Sequence, residues 1–212
     1  MRAPLLDRAR WDALWQSLGS DAPGAGFELL TCLYAEPHRR YHTAKHIVAC
    51  LSNFDLFKSL AADPVAVELS IWLHDAAYDP LRDDNEERSA EVAEMLLTQA
   101  GLQSRVDQVR QLIMATQHTS LAQPDDAGLL VDIDLSVLAL PWAGYVSYTR
   151  AVRKEYAAIP DERFVEGRIG VLKHFLAKPT IYVHREIQQA WEHRARENME
   201  NEIMELTEHG CT

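Results

Sequence analysis

The chain has 212 residues, of which 47% are hydrophobic, and a formal net charge of −11. That length and composition predict one fairly large folded domain and leave no ground for disorder. The acidic balance excludes a general attraction to nucleic acid or to an anionic membrane surface, and any phosphorylated ligand would need its own local positive charge.

The cysteines, Cys32, Cys50 and Cys211, have the spacing of neither a disulfide framework nor a zinc ribbon. Cys32 and Cys50 lie in apolar patterns and read as core thiols. Residues 1–10 carry three arginines and no long apolar run, so no secretory leader is expected. No stretch approaches the ~18 uncharged apolar residues of a membrane span. A cytoplasmic protein that does not enter membranes is the expectation.

In chain order, Leu5 to Leu18 reads as an amphipathic helix, with Trp11 and Trp15 one turn apart and Gly19 after its end. Phe27 to Tyr34 is a second, shorter helix, stopped before Pro37. Glu36 to Tyr41 is a loop. A helix from about His42 to Leu60 carries the stripe His46, Ala49, Cys50, Asn53, Phe54 and Phe57, which turns His46 inward. The stretch Asp63 to Pro80, DPVAVELSIWLHDAAYDP, is the centre of the chain. Asp63 and Pro64 start a helix, since the carboxylate caps free N–H groups and proline suits the first helical position. From Val65 to Ala77 the only polar side chains are Glu68, Ser70, His74 and Asp75. A helix apolar on nearly all sides belongs inside a domain. A carboxylate buried with it needs a partner, either a metal cation or a satisfied histidine.

Asn85 to Ala100 is a helix ended by Gly101, with Asp84 and Glu87 as a capping box. Ser104 to Gln117 is another, broken by Thr119 to Pro124. Helices follow at Asp126 to Leu140, Gly144 to Ile159, Glu162 to Ala177 and Glu186 to Glu208. The last, dense in Glu, Arg and Asn, reads as a solvated or homodimer-forming helix. No strand alternation, repeat or linker breaks the pattern. The prediction is a single all-α domain over 1–212, a helical bundle with the helices from about 143 packed on it.

Candidate chemistry lies in YHTAKH, where His42 and His46 are four residues apart and would share a helix face. The glutamate of the HExxH metalloprotease pattern is missing, so peptide hydrolysis has little support. His74-Asp75, His118 and the pair Asp132 and Asp134 follow on successive helices. Together they make a mixed nitrogen and oxygen set suited to Mn, Fe, Co, Ni, Zn or Mg. Asp132 and Asp134 lie about 200° apart on a regular helix, so both cannot face one metal. Leu130, Ile133, Asp134, Val137 and Leu138 form the better candidate for an inward stripe, by a modest margin; Val131, Asp132, Leu135 and Ala139 form a competing apolar one. Arg39, Arg40 and Lys45 crowd the histidines and offer phosphate contacts, or simply a solvated loop. Asp79 reads as a second-sphere residue or a turn cap. Arg153 and Arg168 read as partners of acids on neighbouring helices.

The order H…HD…D resembles the HD superfamily of metal-dependent phosphohydrolases. YHTAKHI resembles the YHNxxH signature of cyclic-nucleotide phosphodiesterases of that superfamily. EPHRRYHTAKHI, WLHDAAYDP, DNEERSA, ATQHT and DIDLSVL, with RKEY, GRIGVL and ARENM in the tail, resemble a bacterial group of predicted HD phosphohydrolases. The resemblance spans about Trp11 to Leu206 and implies an HD-domain-like bundle. It implies metal ligands at His46, His74, Asp75 and one aspartate of the DID motif, with Asp134 at the usual position and Asp132 behind it. It implies His42 as the acid that protonates the leaving oxygen, Asp75 as a candidate base, and His118 as an additional ligand. The implied substrate is a small phosphorylated molecule such as a nucleotide, and the implied cofactor is a divalent metal ion. The alternative is a non-catalytic metal or nucleotide sensor, or an interaction module, on the same scaffold.

Overall fold

The computed structural model describes residues 6–118, 123 and 125–209. The fold is all-α: the described residues form ten α-helices and no strand. They divide into two compact units, 1–134 and 135–212. That boundary falls within the helix expected over 126–140, where no linker composition marks it.

The first unit contains α1 (Arg8–Ser17), α2 (Gly26–Leu33), α3 (Ala44–Phe57), α4 (Pro64–Leu73), α5 (Asn85–Gln99), α6 (Val106–Ala115) and α7 (Asp126–Asp134). α4 is its centre. Every residue from Ala66 to Leu73 is buried, and α1, α3, α5, α6 and α7 all pack on it. Burial stabilises by roughly 1.5–3 kcal/mol per fully buried Leu or Ile side chain, which favours placing this apolar helix inside. Trp72 of α4 meets Trp11 edge-on at 5.3 Å, and Trp11 meets Trp15 at 5.4 Å. The buried Glu68 is held by Arg10 Nε at 2.7 Å and Lys58 Nζ at 3.1 Å. Asp63 caps α4 through the Ala66 N–H at 3.0 Å. The carboxylate of Asp126 binds the N–H groups of Ala62 and Asp63 at 2.7 and 2.9 Å, tying the start of α7 to the start of α4.

Several boundaries differ from expectation. Thr43 caps α3 by accepting from the Lys45 N–H, so the helix begins at Ala44 and His42 lies outside it. The helical i, i+4 argument therefore does not apply to His42 and His46. α4 stops at Leu73, with His74 as its C-cap and Asp75 beyond. Asp84 makes no side-chain cap to α5; its carboxylate pairs with Arg82 instead. Cys32 is exposed: α2 buries Gly26 and Leu30, and Cys32 lies on another side of so short a helix. Ala49 is exposed too, because α3 buries His46, Ile47, Cys50, Leu51 and Phe54. The break expected at 119–124, apart from Gln123, and Cys211 lie outside the described residues.

The second unit opens on a 3-10 turn, Leu135–Ala139, followed by α8 (Trp142–Glu155), α9 (Asp161–Leu176) and α10 (Arg185–His209). α10 is not merely a solvated helix: Ile187, Ala195, Asn198, Met199 and Glu202 are buried. Asn198 Nδ2 donates to the carbonyls of Leu138 and Leu140 at 2.7 and 2.9 Å. Arg168 forms a fork on Glu202 at 2.8 and 3.0 Å, and the Tyr145 hydroxyl donates to the same carboxylate. Arg153 pairs with Asp161 at the start of α9, an acid of a neighbouring helix as expected. Among the described residues no single helix is long and apolar enough to cross a membrane.

Candidate metal centre

The end of α4 sets the first half of the site. His74 Nδ1 lies 3.0 Å from the Ile71 carbonyl. A carbonyl only accepts, so Nδ1 carries a proton, and Nε2 is the nitrogen whose lone pair becomes available to a ligand once the ring is neutral. α3 supplies the buried His46, whose Nε2 is 3.2 Å from His74 Nε2. The last residue of α7, Asp134, brings Oδ1 to 3.0 Å from His46 Nε2 and 3.4 Å from His74 Nε2. Asp75 brings Oδ2 to 3.4 and 3.3 Å from the same two nitrogens.

These separations suit one cation. Donor atoms at about 2.0–2.2 Å from a metal lie roughly 2.8–3.6 Å from one another at octahedral or tetrahedral angles. The same atoms satisfy one another poorly. Asp75 Oδ2 is a buried carboxylate oxygen without a hydrogen-bond partner, an arrangement that costs free energy unless a cation meets it. Side-chain exposures of 18% for Asp75 and 17% for Asp134 leave the cluster an opening. The donor set thus fits a divalent metal, with nitrogen and oxygen ligands from α3, the chain leaving α4, and the end of α7.

The electrostatics agree with the geometry. Burial would depress the imidazolium of His74, but the charge of Asp75 and the close approach of the Asp134 carboxylate outweigh it and raise its pKa well above the usual value. Burial would raise the carboxyl of Asp75, but the charges of His74 and His42 hold it low. Asp134 is likewise held far below the usual range, against its burial, by the close imidazoles of His118, His46 and His74.

The remaining expected residues are placed as follows. His118, two residues past the C-cap of α6, is in the left-handed region, φ 55°, and its Nε2 is 3.4 Å from the other oxygen of Asp134. His42 stands at the edge, its ring stacked on Tyr78 at 3.9 Å and 6.0 Å from the ring of His46. Asp132 is fully buried on α7 but belongs to neither group of convergent donors. Asp79 closes a turn, accepting from the Leu81 N–H at 2.9 Å. Arg40 donates to the carbonyls of Pro37 and Arg39 within its own loop, and Lys45 is exposed at the start of α3.

The parts that three neighbours play at the site were not legible. The Tyr41 hydroxyl is 3.0 Å from His46 Nδ1. Cys50 Sγ is 3.6 Å from the same atom, and His46, Cys50 and Asp134 form a second group of convergent donors beside His46, His74 and Asp75. Burial and the carboxylates of Asp134 and Asp75 push the Cys50 thiol well up, so it stays protonated. Its place four residues after His46 was the available signal. Arg39 is the third: expected as a phosphate contact or in a solvated loop, it is buried instead, and nothing in the sequence distinguishes it from Arg40.

No family model, no curated protein and no solved structure matches this chain.

Proposed function

We propose that the chain is a metal-dependent phosphohydrolase of the HD type, acting on a phosphate ester of a nucleotide or another small metabolite. One observation carries the reading: His46 Nε2, His74 Nε2, Asp134 Oδ1 and the orphaned Asp75 Oδ2 converge at 3.0–3.4 Å. The order of the motifs along the chain supports it.

His46, His74, Asp75 and Asp134 would hold the ion. When bound, a divalent cation polarises a phosphoryl oxygen and acidifies water. Carboxyls held low are good ligands and weak bases, which favours ligation over proton transfer as the role of Asp75. His42, partly exposed on Tyr78, delivers a ring N–H proton to the leaving oxygen. Arg40 and Lys45 flank it and offset the acidic chain where a phosphate would arrive.

The test is a panel of nucleotides and phosphoesters offered to the chelated protein and then to the metal-reconstituted protein. Metal-dependent turnover of at least one ester is expected. Stoichiometric metal uptake without turnover of any would replace the enzyme by a sensor, and no uptake would remove both.

A further inference from the structure

We propose that Arg39 is a positioning residue that locks His42 and the His74-Asp75 pair into one geometry; the inference rests on the metal-site reading. The Arg39 side chain has 0% exposure. One guanidinium nitrogen donates to the carbonyls of His42 and Asp75 at 3.1 and 2.7 Å, and the other donates to the Ala76 carbonyl at 2.9 Å. Its Nε donates to Glu36 at 3.0 Å. A single planar group thus joins the loop before α3 to the chain leaving α4.

The rings around it extend the same lock. The guanidinium lies 5.3 Å from the centroid of Tyr34 and 5.6 Å from that of Tyr78. Tyr34 donates to the Trp72 carbonyl at 2.8 Å, and Tyr78 stacks on the ring of His42. Arg39 therefore holds His42 twice, through its carbonyl and through Tyr78. It holds Asp75 by the backbone. Without this brace the carbonyls at the end of α4 would lack donors in a buried place, and the segment carrying two ligands would be free to shift. A rigid fork makes the bonds to His42, Asp75, Ala76 and Glu36 in a single fixed geometry, whereas a lysine ammonium offers a point charge on a flexible stem.

The experiment is Arg39→Lys in the full chain, with Co²⁺ titrated into chelated protein and followed by its visible absorption. Helix content by circular dichroism should be retained. Co²⁺ affinity should fall roughly 10–100-fold, as for other residues that orient ligands, with a displaced absorption band. Affinity within about twofold of the parent, with the same band, overturns the proposal. In Arg39→Ala, guanidinium far below denaturing concentrations should restore affinity where ammonium does not; equal effects of the two ions count against the fork. Should Arg39→Lys not fold, Glu36→Ala decides the matter at a partly exposed position. A measurable loss of Co²⁺ affinity there upholds the lock, and none overturns it.

If the parent itself takes up no Co²⁺, the proposed function falls, and the lock is judged on the metal-free chain by amide exchange. Faster exchange over 41–43 and 75–78 in Arg39→Lys, with α1 and α5 unchanged, upholds it. Equal rates overturn it.

Discussion

Two buried charged clusters, one in each unit, are built on opposite principles. In the second unit Glu202, Arg168 and Tyr145 close on themselves: both oxygens of Glu202 accept hydrogen bonds, and the guanidinium spans them as a fork. In the first unit two imidazole nitrogens and two carboxylate oxygens point at a common centre, and one oxygen has no hydrogen-bond partner. Both clusters are buried and both shift pKa values strongly. Buried charge therefore does not distinguish a working site from a brace. Convergence on one point that leaves a carboxylate oxygen without a hydrogen-bond partner is what sets the candidate site apart.

The contrast breaks most sharply under alanine substitution. His74→Ala and Asp75→Ala should each abolish metal retention and hydrolysis. Glu202→Ala should leave both intact while costing about 3–5 kcal/mol of stability, because it strands a buried Arg168. Metal analysis and denaturant unfolding of the three variants check this, and metal loss in Glu202→Ala would erase the distinction. Next in size, His42→Ala should keep its metal and turn over roughly 10²–10⁴-fold more slowly if His42 is the general acid. Metal loss in that variant would make His42 a ligand.

The two aspartates of α7 sharpen the comparison within one helix. Asp134→Asn should lose metal affinity well beyond the roughly 10–100-fold of an outer contact, which bounds the effect of Asp132→Asn. Equal affinities for the two variants, measured by titration after chelation, would move the ligand. The smallest effect is on pH. The folded pKa of His74 is raised, so its contribution to the stability of the metal-free chain is fully present below about pH 6.5, the unfolded value, and is lost as pH rises through the folded value. A metal takes the neutral nitrogen, so affinity should climb over the same window by about tenfold per unit for one released proton. Asp75 and Asp134, held low, are already ionised and release none at neutrality. Calorimetry in buffers of different ionisation enthalpy counts the proton, and pH-independent uptake would contradict the assignment.

Much of this was legible in the residues. Asp63-Pro64 marks the start of α4 because both act locally. The apolar run after it demands burial whatever the neighbours are. The ends of helices were less legible: α3 could begin at His42 or Ala44, and only the bond from the Lys45 N–H to Thr43 decides. α7 is buried from Gly128 to Ile133, on all sides, so periodicity could give Asp134 no more than a modest preference over Asp132. Cys32 and Cys50 have similar apolar surroundings in sequence, yet one faces solvent and one faces His46, since each helix chooses its side by long-range packing. Arg39 and Arg40 are indistinguishable until the carbonyls of Asp75 and Ala76 arrive from 36 and 37 residues away.

His118 has a consequence for how this sequence would drift under selection. A non-glycine residue in the left-handed region carries roughly 1–3 kcal/mol of backbone cost, and His118 adopts it while facing Asp134. Glycine would relieve most of that, less the entropy it adds to the unfolded chain. A laboratory population selected for heat resistance alone should therefore accumulate His118→Gly, while one selected for turnover should keep the histidine. The residue that competing selections pull apart would be identified by the order in which substitutions appear, before any substrate is known.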